Sequence, residues 1–123
     1  MKGTVQIVDD DSEVITTFTR WLQLEGYRVR TATDGDDALR QMDGADAVIV
    51  DMRMPILDGL GFLRHVRTNH QRVPVAVVTG DYLIDEGVLK EFFQLNARVL
   101  FKPLWVDELV DLAAALVDQQ APA

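Results

Sequence analysis

At 123 residues, 48% of them hydrophobic, the chain is long enough for one ordinary core, too short for two full domains and too apolar for a disordered tail. No run approaches the ~20 apolar residues that a bilayer span needs, and the absence of cysteine excludes disulfides and thiolate metal sites. A net charge of −8 opposes contact with a phosphate backbone, so direct nucleic-acid binding by this segment is not expected. With no signal-like apolar block before the first strand-like run, these features fit a cytoplasmic protein without membrane association.

Residues 5–8 read as a strand, stopped by Asp9, Asp10 and Asp11. Asp11 or Ser12 can cap the helix that follows, in which Val14, Phe18, Trp21 and Leu22 share one face. Gly26 ends that helix, and residues 27–32 alternate as a second strand. Residues 34–37 open a short helix carrying Ala38, Leu39 and Met42, with Gly44 expected as its C-terminal cap. Residues 47–50 are apolar on both faces, as a central parallel strand requires.

A loop with Pro55, Asp58 and Gly59 leads into a helix that turns Leu60, Leu63 and Val66 inward. Residues 75–78 repeat the buried-strand signature. Val88, Leu89, Phe92 and Phe93 mark a helix, and residues 99–101 a short strand. The last helix carries Leu109, Val110, Ala113, Leu116 and Val117 inward. Strands alternating with helices through connections too long for hairpins build a parallel sheet covered on both faces. The expected organisation is one domain over residues 1–118 and a tail or linker stub over 119–123.

In such sheets the ligand crevice lies beyond the carboxyl ends of the strands. The first strand delivers Asp9 and Asp10 there, the third Asp51, the fourth Thr79 and the fifth Lys102. Crowded carboxylates repel one another, and a divalent cation relieves that repulsion. Mg²⁺ suits such hard oxygen ligands and also accepts phosphate oxygens. A carboxylate can then attack a phosphoryl group, while a hydroxyl and an ammonium stabilise the charge that arrives.

Four motifs stand in order around these positions: residues 7–11 with Asp9, Asp10 and Asp11; residues 50–55 with Asp51 and Pro55, followed by Asp58 and Gly59; residues 78–80 with Thr79; and residues 101–104 with Lys102 and Pro103. Together they resemble the response-regulator receiver domain of two-component signalling, of the chemotaxis-Y-like type, over nearly the whole chain. The resemblance implies a flavodoxin-like, doubly wound five-stranded parallel sheet of order 2-1-3-4-5 with five helices. It implies Asp51 as phosphoacceptor, with Thr79 binding the phosphoryl group and reorienting, and Lys102 pairing with it. It also implies Mg²⁺ held by Asp9, Asp10, Asp51 and the backbone carbonyl of Arg53, and a cis bond between Lys102 and Pro103. The implied partners are a histidine kinase or histidine phosphotransfer protein as donor, and an output domain or protein met through the last two helices and last strand. A homodimer is a further option.

Simpler roles account for several other residues. One Asp suffices to cap a helix, and Asp11 is assigned to that role. Asp34, Asp36 and Asp37 suit a turn and helix start, Asp58 and Gly59 a turn, and His65 and His70 a solvated helix end. Ser12, the single serine, is taken up as a capping candidate, which leaves no serine for a Ser-His-Asp triad. Trp105 can serve as an exposed partner anchor or fold back over Leu109 as a helix-end staple.

One departure from the family pattern, and two positions that vary within the family, bear on the switch. The position three before the lysine, usually aromatic, is Val99; Phe101 lies nearer the lysine and is expected, by strand alternation, to point the other way. Arg53 and Asp81 flank the phosphoryl site with opposite charge, and pairing between them would hinder attacking water and slow self-dephosphorylation. An aspartate-nucleophile phosphatase is the enzymatic rival, but it resembles families with a second acid where this chain has Arg53. A degenerate receiver, acting as a phosphorylation-independent interaction module, is the alternative from the binding class.

Overall fold

A computed structural model describes residues 2–54, 56–69 and 72–120; Pro55 and His70 lie outside this range. In chain order the elements are β1 (Thr4–Val8), α1 (Ser12–Leu24), β2 (Arg28–Ala32), α2 (Gly35–Arg40), β3 (Ala47–Asp51), α3 (Gly59–Asn69), β4 (Val75–Thr79), α4 (Glu86–Gln94), β5 (Ala97–Phe101) and α5 (Val106–Gln120). Every strand pairing is parallel, and the sheet order is β2-β1-β3-β4-β5, as the resemblance implied. No helix among the described residues is long and apolar enough to cross a membrane.

Helix starts follow side-chain chemistry. The Asp11 carboxylate accepts from the backbone N–H groups of Glu13 and Val14, so Asp11 rather than Ser12 caps α1. Asp34 caps α2 through the Asp37 N–H, and Asp85 caps α4 through those of Gly87 and Val88. Gly26, at φ 101°, ends α1 as expected. Gly44 does not cap α2: that helix stops at Arg40 with Gln41 in the capping position, and Gly44 serves the loop beyond.

The sheet divides the core into two layers. On one face Phe18, Leu22, Leu109, Ala113 and Leu116 of α1 and α5 cover Val5, Ile7, Ile49, Ala76 and Val78. On the other, Phe62, Leu63, Val66 and Phe92 of α3 and α4 cover Val48, Val50, Val75 and Val77, and Val99 packs against this layer. Strand alternation sorts the side chains between these faces. Truncating a fully buried aromatic such as Phe62 or Phe92 would cost about 3–5 kcal/mol.

Three expectations change. Val99 and Phe101 are two residues apart in β5 and so share a face of the sheet; Phe101 does not point the other way but lies on the same side, nearer the carboxyl edge. Trp105 is 64% exposed and does not staple over Leu109; Leu104 is the residue that enters the core beside Leu109. Helix α5 continues to Gln120, so it takes up two residues of the expected tail, while 121–123 lie outside the described residues.

Candidate functional site

Parallel pairing brings the carboxyl ends of four strands to one edge. Asp51 pairs in register with Val78 and Thr79 with Phe101, so β3, β4 and β5 end almost level. Asp9 follows β1 directly, and its N–H bonds to the Ala32 carbonyl of β2. Asp9 is 4% exposed, and its carboxylate accepts from the Asp11 N–H at 2.9 Å. Thr79 is 1% exposed.

Oxygens of Asp9, Asp10 and Asp51 lie within 4.8 Å of one another. The Lys102 ammonium reaches across from the end of β5, 3.2 Å from Asp9 Oδ2 and 3.3 Å from Asp51 Oδ1. Burial foremost, then repulsion from Asp9, holds the Asp51 carboxyl above its ordinary value despite the pull of Lys102. Burial pulls the Lys102 ammonium down, but attraction to Asp9 and Asp51 and hydrogen bonds to both outweigh it, and the net direction is up. Three acids here face one ammonium. That excess of negative charge on hard oxygen donors fits a divalent cation such as Mg²⁺, with Asp9, Asp10 and Asp51 as its side-chain ligands.

Beside Asp51 lies a recess of about 380 Å³, lined by Asp51, Arg53, Thr79, Gly80, Asp81 and Lys102. Two of these lining residues form the expected ion pair: Arg53 Nη2 donates to Asp81 Oδ2 at 2.8 Å. This bond foremost, then the Leu83 N–H, keeps the Asp81 carboxyl below its ordinary value. The Thr79 hydroxyl oxygen accepts from the Asp81 N–H at 3.0 Å. The peptide bond between Lys102 and Pro103 is cis, as the resemblance implied.

Two features escape strand-end reasoning. Gly59 is required for space: a Cβ there would lie 2.7 Å from the Asp51 carbonyl oxygen and 2.9 Å from Met52 Cα, and its N–H binds the Met52 carbonyl at 2.9 Å. A turn assignment for Asp58 and Gly59 carries no hint of this approach. Tyr82 carries no such sequence signal either, yet its hydroxyl donates to the Lys102 carbonyl and its ring stacks on Phe101.

Comparison with known proteins identifies the family. The family model of the response regulator receiver domain matches residues 5–114. The transcriptional regulatory protein PrrA of Mycobacterium tuberculosis is 37% identical over 118 residues, covering 92% of this chain and 49% of that protein. The response regulator MprA of Mycolicibacterium vanbaalenii is 35% identical, covering 99% of this chain and 53% of that protein. The chain thus spans about half the length of the curated relatives it matches. Among solved structures, the chemotaxis protein CheY4 of Vibrio cholerae superposes with a TM-score of 0.82 at 28% identity, covering 93% of this chain and 98% of that one. The chain is a receiver domain of a two-component response regulator and belongs to the response regulator receiver domain family.

Proposed function

We propose that this domain is a phosphorylation switch in which Asp51 accepts a phosphoryl group from a histidine kinase or histidine phosphotransfer protein. The observation that carries this reading is the Asp51 carboxylate itself. It lines an open recess, beside two further acids and within reach of Lys102. An Asp51 oxygen attacks phosphorus, the bond from phosphorus to the donor nitrogen breaks, and its electron pair leaves with the donor imidazole. Lys102, already bonded to Asp51, pairs with the phosphoryl oxygens as charge accumulates, and the Thr79 hydroxyl supplies a second donor.

Asp9, Asp10, Asp51 and the Arg53 carbonyl would hold Mg²⁺, which when bound would offset the crowded carboxylates and the charge of the incoming phosphoryl group. We infer that the Arg53–Asp81 pair, which lines the recess, hinders attacking water and slows self-dephosphorylation. Since PrrA and MprA are about twice as long as this segment, we place an output domain or partner beyond the receiver, met through α4, β5 and α5. The receiver itself takes in α5 to Gln120, two residues past the boundary expected at 118.

Intact mass after incubation with acetyl phosphate and Mg²⁺ tests the proposal. A gain of about 80 Da, one phosphoryl group, that requires Mg²⁺ and is absent from Asp51→Asn is expected. No gain, under conditions that modify a known receiver, would favour a phosphorylation-independent interaction module instead.

A further inference from the structure

The loop from β3 to α3 is closed at its base. The Gly59 N–H binds the Met52 carbonyl at 2.9 Å, and the Met52 N–H binds the Val78 carbonyl at 3.0 Å. Between these fixed ends the chain turns at Ile56, whose φ of 71° lies in the left-handed region. A β-branched residue is strained there, because its Cβ crowds a neighbouring carbonyl oxygen. Ile56 is also 83% exposed, so packing of its own side chain does not offset the strain. The turn has to be secured from beside it.

Its neighbour, Leu57, is half-buried and packs against the α3–α4 layer of the core. It crosses the buried Gly35 at the start of α2 and Gly61 in the first turn of α3. A Cβ on Gly35 would stand 2.6 Å from the Leu57 carbonyl oxygen and 3.0 Å from Leu57 Cβ. A Cβ on Gly61 would stand 2.6 Å from Leu57 Cδ1. Rotation of the leucine tip relieves the second clash, but the first is against main chain and has no such escape. Two helix starts therefore make room for one loop residue. Met54 also packs on this layer, but an unbranched thioether adapts to many positions and specifies none closely.

Resting on the reading of Asp9, Asp10, Asp51 and the Arg53 carbonyl as Mg²⁺ ligands, we propose that Leu57 is the positioning residue that holds the strained loop, and with it the Arg53 carbonyl, in place for the cation. Arg53 and Leu57 stand on opposite arms of one short loop with a closed base. With Leu57 seated, the turn at Ile56 is enforced and the carbonyl is ordered before the cation arrives. With Leu57 unseated, Ile56 relaxes toward negative φ and the carbonyl moves with the loop. The three acids stand at or just past strand ends, so the anchor acts on the loop ligand and not on them.

Arg53 is the one arginine in the sequence that a methionine follows. Carbonyl-¹³C arginine with ¹⁵N methionine therefore gives a single line, that of the Arg53 carbonyl, in a ¹³C–¹⁵N-selected NMR spectrum of the whole chain. Calorimetric titration with MgCl₂ gives the Kd, and the same titration followed by NMR gives the carbonyl displacement. In wild type the line should shift and saturate. Leu57→Ala should bind Mg²⁺ roughly tenfold more weakly, as loss of a group that orients a metal ligand does, with a smaller carbonyl shift at saturation. Leu57→Val shortens the side chain less, should fall between the two, and serves if the alanine variant does not fold. Adding Ile56→Asn to Leu57→Ala should restore part of the affinity, because asparagine tolerates positive φ. Leu39→Ala removes the same atoms from the same core layer outside the loop, and should leave both readings at their wild-type values. A wild-type Kd and carbonyl shift in Leu57→Ala, or equal losses in Leu39→Ala, would overturn the anchor and leave the cation site standing. Binding without a carbonyl shift in wild type would remove Arg53 from the ligand set and overturn the anchor. No Mg²⁺ binding in wild type would overturn the cation site and the anchor with it.

Discussion

The recess beside Asp51 has two flanks built on different principles. On one side Asp9, Asp51 and Lys102 stand at strand ends, buried or half-buried, in ion pairs of 3.2 and 3.3 Å. On the other, Arg53, Asp81 and Tyr82 are loop residues joined by side-chain reach, with Arg53 75% exposed. Strand pairing fixes the first flank before any ligand arrives, and opening it would break the sheet. The second flank is held by a surface ion pair, the Asp81 N–H bond to the Thr79 hydroxyl, the Tyr82 hydroxyl bond to the Lys102 carbonyl and one aromatic stack, each weak enough to exchange for another contact. Chemistry needs the first kind of order and switching needs the second.

Two glycines test this contrast most strongly. Gly59→Ala forces a Cβ against the main chain at Asp51 and Met52, on the rigid flank, where neither atom can yield. A loss of about 1–3 kcal/mol is expected, together with slower phosphoryl uptake, read by urea midpoint and time-resolved intact mass. Gly80→Ala lies on the loop flank, with no heavy atom within 4 Å of its Cβ. It should leave stability within about 1 kcal/mol of wild type. Equal losses in the two variants would erase the distinction between the flanks.

Next in size is the effect of the Asp51 charge on stability. Its folded pKa is raised, so the folded state holds the proton more tightly than the unfolded chain. The charged carboxylate therefore destabilises the fold above the folded pKa, and that penalty fades as pH falls through the folded pKa toward the unfolded value. Asp51→Asn should melt several degrees higher at neutral pH without Mg²⁺, with the gap closing in acid. Adding Mg²⁺ should stabilise wild type more than the variant. A variant that melts lower at neutral pH would show that the Lys102 attraction wins instead.

The smallest effect on stability is expected from Arg53→Ala combined with Asp81→Ala, because the pair is exposed. Its melting temperature should stay close to wild type, while the phosphorylated half-life shortens several-fold as water gains the rim. An unchanged half-life would remove any role for the pair in shielding the recess.

The same contrast governs what could be read from residues alone. Asp9, Asp51, Thr79 and Lys102 were legible because a strand's carboxyl end is a position sequence periodicity locates directly. The two buried strands β3 and β4 were legible as unbroken apolar runs. The opposed charges of Arg53 and Asp81 were legible as a pair only through their offsets from Asp51 and Thr79. Tyr82 was not legible, because its partners are a carbonyl and a ring brought near by loop path rather than by periodicity. Gly59 reads only as a turn, because close backbone approach leaves no trace in composition. Trp105 admits two roles by position alone, and its exposure excludes the staple.

Asp51, alone of the three crowded acids, is proposed to carry the phosphoryl group. Borohydride reduces an acyl phosphate to the alcohol, so a phosphorylated aspartate is converted to homoserine. After treatment with acetyl phosphate and Mg²⁺, reduction and digestion, peptide sequencing by mass spectrometry should find homoserine at position 51, with Asp9 and Asp10 intact. Homoserine at position 9 or 10, or none at all in the peptide that carries Asp51, would contradict it.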